Sequence, residues 1–313
     1  MRYPDEYREI RETFPDDFVF ADYEGLVTYG CFQTRPADPY GNPWEIGIYH
    51  DECGCIFENR QRGVIGEVRE ALIKHDDWSD RASVRLPVEC LQLDAEKINQ
   101  FCDSTDRFVF ANAWPRIFER IQFLRGSEQA FIDLALRPAG LSEVLGRFHD
   151  FHCRLLEAWA NTRVDALLFQ DDWGAQSSLL IDPALWLQMF KPLYRDYIDI
   201  AHAYGKKIFM HSDGYILEIL PHLVELGLDA INCQVFCMGI DKLRQFKGRI
   251  TFWGDVDKQH TLVTGTVADV EREVRQTHEN LWDRGGCIAA CEFGPGGKPE
   301  NVRAVFETWE QLV

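Results

Sequence analysis

From Asp165 onward, short apolar runs alternate with helical stretches along the chain. The apolar runs have the length of β-strands, and between them apolar residues recur at helical spacing. Strands are predicted at residues 166–169, 207–210, 230–233, 250–253 and 287–290. Helices are predicted near residues 183–204, 215–226, 239–247, 266–284 and 299–313. This alternation favours a parallel α/β sheet whose strands are joined by helices.

Two parallel α/β architectures fit this pattern, a (β/α)8 barrel and a doubly wound sheet. The sequence has no Gly-x-Gly-x-x-Gly after an apolar run and no Walker A motif, which disfavours the nucleotide-binding form of the doubly wound sheet. A length of 313 residues suits one barrel domain. We expect a single domain over residues 1–313 with an irregular N-terminal part, about residues 1–106. That part contains short strands or a hairpin within 44–57 and a helix near 95–101.

Polar residues follow each of the five predicted strands. Because carboxyl ends of parallel strands share one face, and active sites lie on that face, these residues are expected around one mouth. They are Gln170 to Asp172, His211 to Asp213, Cys233 with Gln234, Asp255 with Asp257, and Cys291 with Glu292. Each also has a structural interpretation: Asp171 and Asp172 could cap a loop, and Asp213 could be a turn residue. The Cys53-Gly54-Cys55 segment is interpreted as packing.

His211, Asp213 and Cys291 would make a suitable ligand set for zinc. Catalytic zinc takes three protein ligands from nitrogen, sulfur and oxygen and keeps one position open. Such an ion could lower the pKa of a thiol substrate, or polarise an ether or hydroxyl oxygen as a Lewis acid.

Charge and composition narrow the classes of partner and compartment. The chain has 51 acidic and 33 basic residues and a formal net charge of −18, so phosphate backbones and anionic membrane surfaces are poor partners. No stretch approaches 18 apolar residues, and the N-terminus lacks the apolar segment of a signal peptide. The ten cysteines are scattered without a secretory signal, so we expect a reduced, cytoplasmic protein.

Several segments, in order along the chain, resemble the uroporphyrinogen decarboxylase superfamily, and within it the corrinoid-linked methyltransferases. The resemblance covers most of the chain and implies a (β/α)8 (TIM) barrel. It rests on residues 51–55, 63–68, 123–126, 170–174, 211–214, 253–257 and 299–302.

In the methylcobamide:coenzyme M branch of this superfamily, zinc is held by a His-x-Cys pair and a distant cysteine. His211 matches the histidine, and Cys291 matches the distant cysteine because it stands ten residues before Asn301. Asp213 stands where the middle cysteine belongs, which makes the predicted site harder and favours an oxygen-bound methyl donor.

The resemblance therefore implies a zinc-dependent methyltransferase that moves a methyl group between a small methylated substrate and a separate corrinoid protein. The corrinoid would be carried by that partner, because this chain has no Asp-x-His-x-x-Gly motif. Asp172 and Asp255 would orient the substrate or act as acid and base, and Glu292 would be a fourth ligand or support the ligands. Two alternatives stay open: decarboxylation of a porphyrinogen, disfavoured because the early chain lacks clustered arginines, and a non-catalytic binding subunit.

Overall fold

The computed structural model describes residues 4–32, 41–63, 65–254, 256–291 and 296–313. Its contacts define two compact units. The C-terminal unit comprises Met1–Phe18, Asp172–Ile198 and Ile208–Val313. The N-terminal unit comprises Val19–Asp171 and Asp199–Lys207.

Ten strands occur within the described residues. They are β1 (Phe18–Phe20), β2 (Gly47–His50), β3 (Ile56–Asn59), β4 (Glu67–Glu70), β5 (Phe108–Phe110), β6 (Ala166–Gln170), β7 (Lys207–Ser212), β8 (Ala230–Cys233), β9 (Thr251–Gly254) and β10 (Cys287–Ala289). Seven of them form one sheet in the order β1-β5-β6-β7-β8-β9-β10, and β2-β3-β4 form a separate sheet. A strand order that follows the chain is that of a (β/α) barrel, whereas a doubly wound sheet reverses its order at a switch point. The predicted α/β barrel class is confirmed.

Thirteen α-helices are present in the same described ranges. They are α1 (Pro4–Thr13), α2 (Ala95–Asp103), α3 (Ile117–Arg125), α4 (Ser127–Leu136), α5 (Ala139–Ala160), α6 (Pro183–Met189), α7 (Lys191–Ala203), α8 (Leu220–Leu226), α9 (Val235–Met238), α10 (Ile240–Leu243), α11 (Thr261–Thr264), α12 (Val267–Leu281) and α13 (Pro299–Glu310). None of the helices described is long and apolar enough to cross a bilayer.

Local sequence explains where the predicted helices differ from the observed ones. The helix expected over 183–204 is split into α6 and α7, because Pro192 lacks an amide hydrogen and restricts the residue before it. The helix expected from residue 215 begins only at Leu220, with Pro221 in its first turn. Gly227 ends α8 in the left-handed conformation that favours glycine, with φ of +90°.

The N-terminal part is more regular than its composition suggested. Strands β2 and β3 form the expected antiparallel hairpin, in which His50 pairs with Ile56. Helix α2 is also as expected, and the side chain of Asp94 caps it by accepting the Lys97 amide. Helix α1 and the third hairpin strand β4 were not predicted, because both are short and rich in charged residues.

The C-terminal unit places its polar strand ends in register. Strands β7, β8, β9 and β10 pair in parallel, which sets His211 opposite Asn232 and Asn232 opposite Trp253. Helices α1, α12 and α13 pack beside this sheet around an apolar cluster that includes Val270, Val302 and Val305. This apolar cluster therefore supports the sheet at its β10 side, where α13 contacts β10.

Candidate functional site

Three of the strand-end residues come together in the C-terminal unit. Asp172, His211 and Asp213 each offer a ligand atom, and these three atoms lie within 4.8 Å of one another. His211 Nε2 lies 3.5 Å from Asp172 Oδ1 and 4.0 Å from Asp213 Oδ1. The side chains are partly exposed, 24% for His211 and about 40% for both aspartates (41% and 39%), so small molecules can reach them.

Two chain segments are held side by side to make this cluster. Asp172 Oδ1 accepts the Asp213 amide at 3.0 Å, and the Gly174 amide donates to the Asp213 carbonyl at 3.1 Å. The contact requires glycine, since a Cβ on Gly174 would lie 2.2 Å from the Tyr215 amide nitrogen. Gly214 on the facing segment has a φ of +76°, and a Cβ on it would likewise lie 2.2 Å from the Gly174 carbonyl oxygen. The backbone therefore fixes where Asp172 and Asp213 stand.

Asn232 determines which nitrogen of His211 faces the two aspartates. The Asn232 side-chain amide donates to the Trp253 carbonyl at 2.7 Å, which turns its oxygen toward His211 Nδ1, 2.5 Å away. Nδ1 must then carry the proton, because an amide oxygen only accepts hydrogen bonds. In neutral His211 this leaves the lone pair on Nε2, the atom that faces Asp172 and Asp213.

Asp213 has two further partners on its other side. Gln234 Nε2 donates to Asp213 Oδ1 at 3.0 Å, and Lys258 Nζ lies 3.2 and 3.4 Å from the two carboxylate oxygens. Lys258 and Gln234 also line a cavity of about 180 Å³. Cys237 faces this cavity, and burial, followed by the charges of Asp213 and Asp257, raises the pKa of its thiol. Cys237 is thus held as a neutral thiol near neutral pH.

The cluster has the donors that a divalent transition metal takes. Imidazole nitrogen and carboxylate oxygen both ligate zinc, and three protein ligands leave a position open. The Asn232 contact resembles the hydrogen bonds that orient metal-ligating histidines from behind. Among the described residues, the donor atoms that meet at this cluster are two carboxylate oxygens and one imidazole nitrogen, and none of them is sulfur.

The other predicted site residues have different outcomes. Asp172, predicted as a catalytic group, belongs to the cluster itself. Cys291 is partly buried and packs against the apolar cluster that contains Val302, and it is not among the three described residues that meet at His211. Asp255 and Glu292 lie outside the described residues.

Two neighbouring carboxylates, Asp171 and Asp172, have different tasks. Asp171 is fully buried in the N-terminal unit and accepts the amides of Ile117, Phe118 and Glu119 at 2.9 to 3.1 Å. It therefore satisfies the first turn of α3, so its capping role serves a helix and not the loop that was expected. Asp172 also accepts a backbone amide, that of Asp213, and in addition faces His211.

The Cys53-Gly54-Cys55 segment has a packing role, as expected. The neighbouring acids Asp51 and Glu52 are buried and both pair with the buried guanidinium of Arg120, at 2.9 Å for Glu52. Burial, followed by the charge of Asp51, raises the pKa of Glu52. Burial also holds the Cys53 and Cys55 pKa values well above their usual range. These carboxylates are occupied by Arg120, so the segment lacks the free anionic donors of a metal site.

Sequence reasoning missed the residues that serve His211 and Asp213 from neighbouring strands. Asn232 was counted only as part of a strand, although the parallel register sets it beside His211. Lys258 was not considered, although it follows Asp257 in a segment already singled out. Aligning strand ends by register would have found Asn232, but the Lys258 contact depends on loop geometry.

Comparisons with known proteins agree with this architecture. Residues 122–312 match the family model described as uroporphyrinogen decarboxylase (URO-D). The chain is similar in structure to a methyltransferase from Methanosarcina mazei, with a TM-score of 0.63, 18% sequence identity, and coverage of 83% of this chain and 76% of that chain.

A second solved structure is less similar, and no curated protein matches the sequence. The likeness to the apo form of the 3-keto-D-glucoside 4-epimerase YcjR from E. coli is weaker, with a TM-score of 0.42, 13% identity, and coverage of 70% of this chain and 84% of that chain. The family model spans more than half of the chain, and the strand order is that of a barrel. The chain belongs to the uroporphyrinogen decarboxylase family.

Proposed function

We propose that this protein is a zinc-dependent methyltransferase that moves a methyl group between a small O-methyl substrate and a separate corrinoid protein. The observation that carries the proposal is the orientation of His211: Asn232 directs Nε2 toward Asp172 and Asp213. The structural likeness to the Methanosarcina mazei methyltransferase supports the same chemistry.

The residues of the cluster have separable tasks in this reaction. Asp172, His211 and Asp213 would hold the ion, which would act as a Lewis acid on the oxygen that keeps the electron pair when the methyl group leaves. Asn232 keeps His211 in one tautomer, and the Gly174 contact keeps the carboxylates in place. Partial exposure of the cluster leaves room for a substrate and for the corrinoid of a docked partner.

Two arginines of the N-terminal unit, Arg116 and Arg120, are engaged in its interior. Arg120 binds Asp51 and Glu52 in the interior of the N-terminal unit. Arg116 is buried as well and donates to the Gly30 carbonyl. Neither guanidinium group is accessible for the carboxylate recognition that a porphyrinogen requires, so these two arginines give decarboxylation no support.

Metal content tests the proposal. We expect about one zinc per chain in protein purified without a histidine tag, and its loss in His211→Ala. His202→Ala, on the exposed side of α7, is the matched control and should keep the metal. The zinc-loaded protein should then convert cob(I)alamin to methylcobalamin with a methoxylated donor. Absence of bound zinc together with no uptake of added zinc contradicts the proposal.

A further inference from the structure

Lys258 links the candidate metal site to the adjacent cavity. Its ammonium lies within 3.4 Å of both oxygens of Asp213, the carboxylate that also faces His211. The Lys258 side chain is only 19% exposed. The same residue lines the cavity of about 180 Å³ beside Gln176, Gln234, Phe236 and Gln259. One flexible cation therefore borders two sites.

A metal ion and this ammonium compete for the same carboxylate. A divalent ion on Asp213 withdraws its negative charge from Lys258 and repels the ammonium across a short distance. A partly buried ammonium needs a negative partner, because its desolvation is costly when unpaired. The lysine stem has four carbons joined by rotatable bonds, so the charge can turn toward the cavity that it already borders.

We propose that Lys258 couples metal binding to the binding of a small organic anion in this cavity. The ammonium neutralises Asp213 before the metal binds and pairs with a carboxylate of the substrate afterwards. The inference rests on the proposed function, since it requires a metal at Asp172, His211 and Asp213. It adds the substrate class: a small O-methyl compound that carries an anionic group.

Gln176, Gln234, Gln259 and Phe236 suit such a ligand. The carboxylate of Asp257 also lines the cavity, and it is engaged by the backbone amides of Gln259 and His260. Gln176 Nε2 donates to Gln259 Oε1 at 3.3 Å, so the two amides meet at the cavity and can bond a polar substrate. Phe236 offers an apolar surface for a methyl group. Coupling between the two sites must be reciprocal: whatever the anion does to metal affinity, the metal does to anion affinity.

The first measurement is zinc affinity by calorimetry at one fixed pH. Lys258→Met should bind zinc about tenfold more tightly than the natural protein, because a charged hydrogen bond to Asp213 no longer competes. Lys258→Arg keeps the charge and should resemble the natural protein. Lys242→Met, on the exposed side of α10, is the surface control and should have no effect. Thermal unfolding of each variant checks that it is folded.

The second measurement repeats the zinc titration with methoxyacetate and with its neutral analogue methoxyacetamide. Methoxyacetate should raise the zinc affinity of the natural protein several-fold, and methoxyacetamide should not. Neither compound should change the zinc affinity of folded Lys258→Met. A titration without protein corrects for zinc binding by methoxyacetate itself.

The outcomes separate this inference from the proposed function. No zinc binding by the natural protein or by Lys258→Met overturns both. Zinc binding that is equal in the natural protein and Lys258→Met overturns the inference alone. An equal effect of methoxyacetate on both proteins also overturns it, since the anion would then bind through the metal.

Discussion

At the scale of single residues, Asn232 decides whether His211 can serve as a ligand. Its oxygen faces Nδ1 because its amide group is anchored on the Trp253 carbonyl. We expect Asn232→Ala to weaken zinc binding by about 10- to 100-fold, the usual effect of losing the partner behind a ligating histidine. Calorimetric zinc titration checks this, with the half-buried Asn280→Ala on α12 as control. Unchanged affinity in Asn232→Ala would show that His211 needs no such support.

His152 gives the fold a dependence on pH. It is fully buried, and its Nε2 lies 2.8 Å from the Tyr29 hydroxyl, which also accepts from Arg120 Nε at 3.3 Å. A neutral His152 can accept the Tyr29 hydrogen on Nε2, while the Tyr29 oxygen accepts from Arg120. Burial, followed by the charge of Arg120, holds the His152 pKa well below its usual value.

In the unfolded chain His152 gains a proton below about pH 6.5, whereas in the folded protein it does not. The unfolded state then binds more protons, so the free energy of unfolding falls as the pH drops, by up to about 1.4 kcal/mol per pH unit from this group. We expect His152→Gln, measured by urea unfolding, to be less stable than the natural protein at pH 7 by a margin that narrows toward pH 5. A margin that stays constant would mean that His152 is protonated in the fold; the exposed His75→Gln serves as control.

At the level of elements, two chain segments cross closely at Gly174 and Gly214, and this crossing fixes the positions of Asp172 and Asp213. We expect Gly174→Ala to destabilise the fold and weaken zinc binding, because its Cβ would meet backbone atoms at 2.2 Å. Gly146→Ala is the matched control: it lies inside α5 with nothing within 4 Å of its Cβ, and should stabilise by about 0.5–1 kcal/mol. Thermal unfolding and zinc titration check both variants. Normal zinc binding by Gly174→Ala would show that this crossing is not needed to position the metal ligands.

The positions of the strands could be predicted from the sequence, whereas the tasks of individual carboxylates could not. The apolar runs after Asp165 became β6 to β10 at nearly the expected residues, because buried parallel strands are dictated by local hydrophobicity. The tasks of Asp171 and Asp172 could not be separated in advance. One caps a helix that begins at Ile117 and the other faces His211, and both partners are distant in sequence. Likewise, Arg120 is paired with Asp51 across 69 positions of the chain.

At the scale of the whole molecule, the dominant property is the excess of acidic residues. With 51 acidic and 33 basic residues, a net charge of −18 remains even if every basic side chain is paired. Like charges repel more in the compact state than in the expanded chain, so this excess opposes folding. The repulsion acts over distances that added salt screens, since the Debye length falls from about 30 Å at 0.01 M to about 8 Å at 0.15 M.

Salt should therefore stabilise this protein. We expect the unfolding temperature to rise when NaCl is increased from about 0.01 M to about 0.15 M, because screening of the net repulsion outweighs the weakening of surface ion pairs, which contribute about 0–1 kcal/mol each. Most ion pairs with an exposed partner, such as Arg163 with Asp103, are of this weak kind. The measurement is a thermal scan in NaCl and in choline chloride at matched ionic strength. Equal increases indicate screening, whereas a decrease in both salts would mean that attractive surface pairs outweigh the net charge.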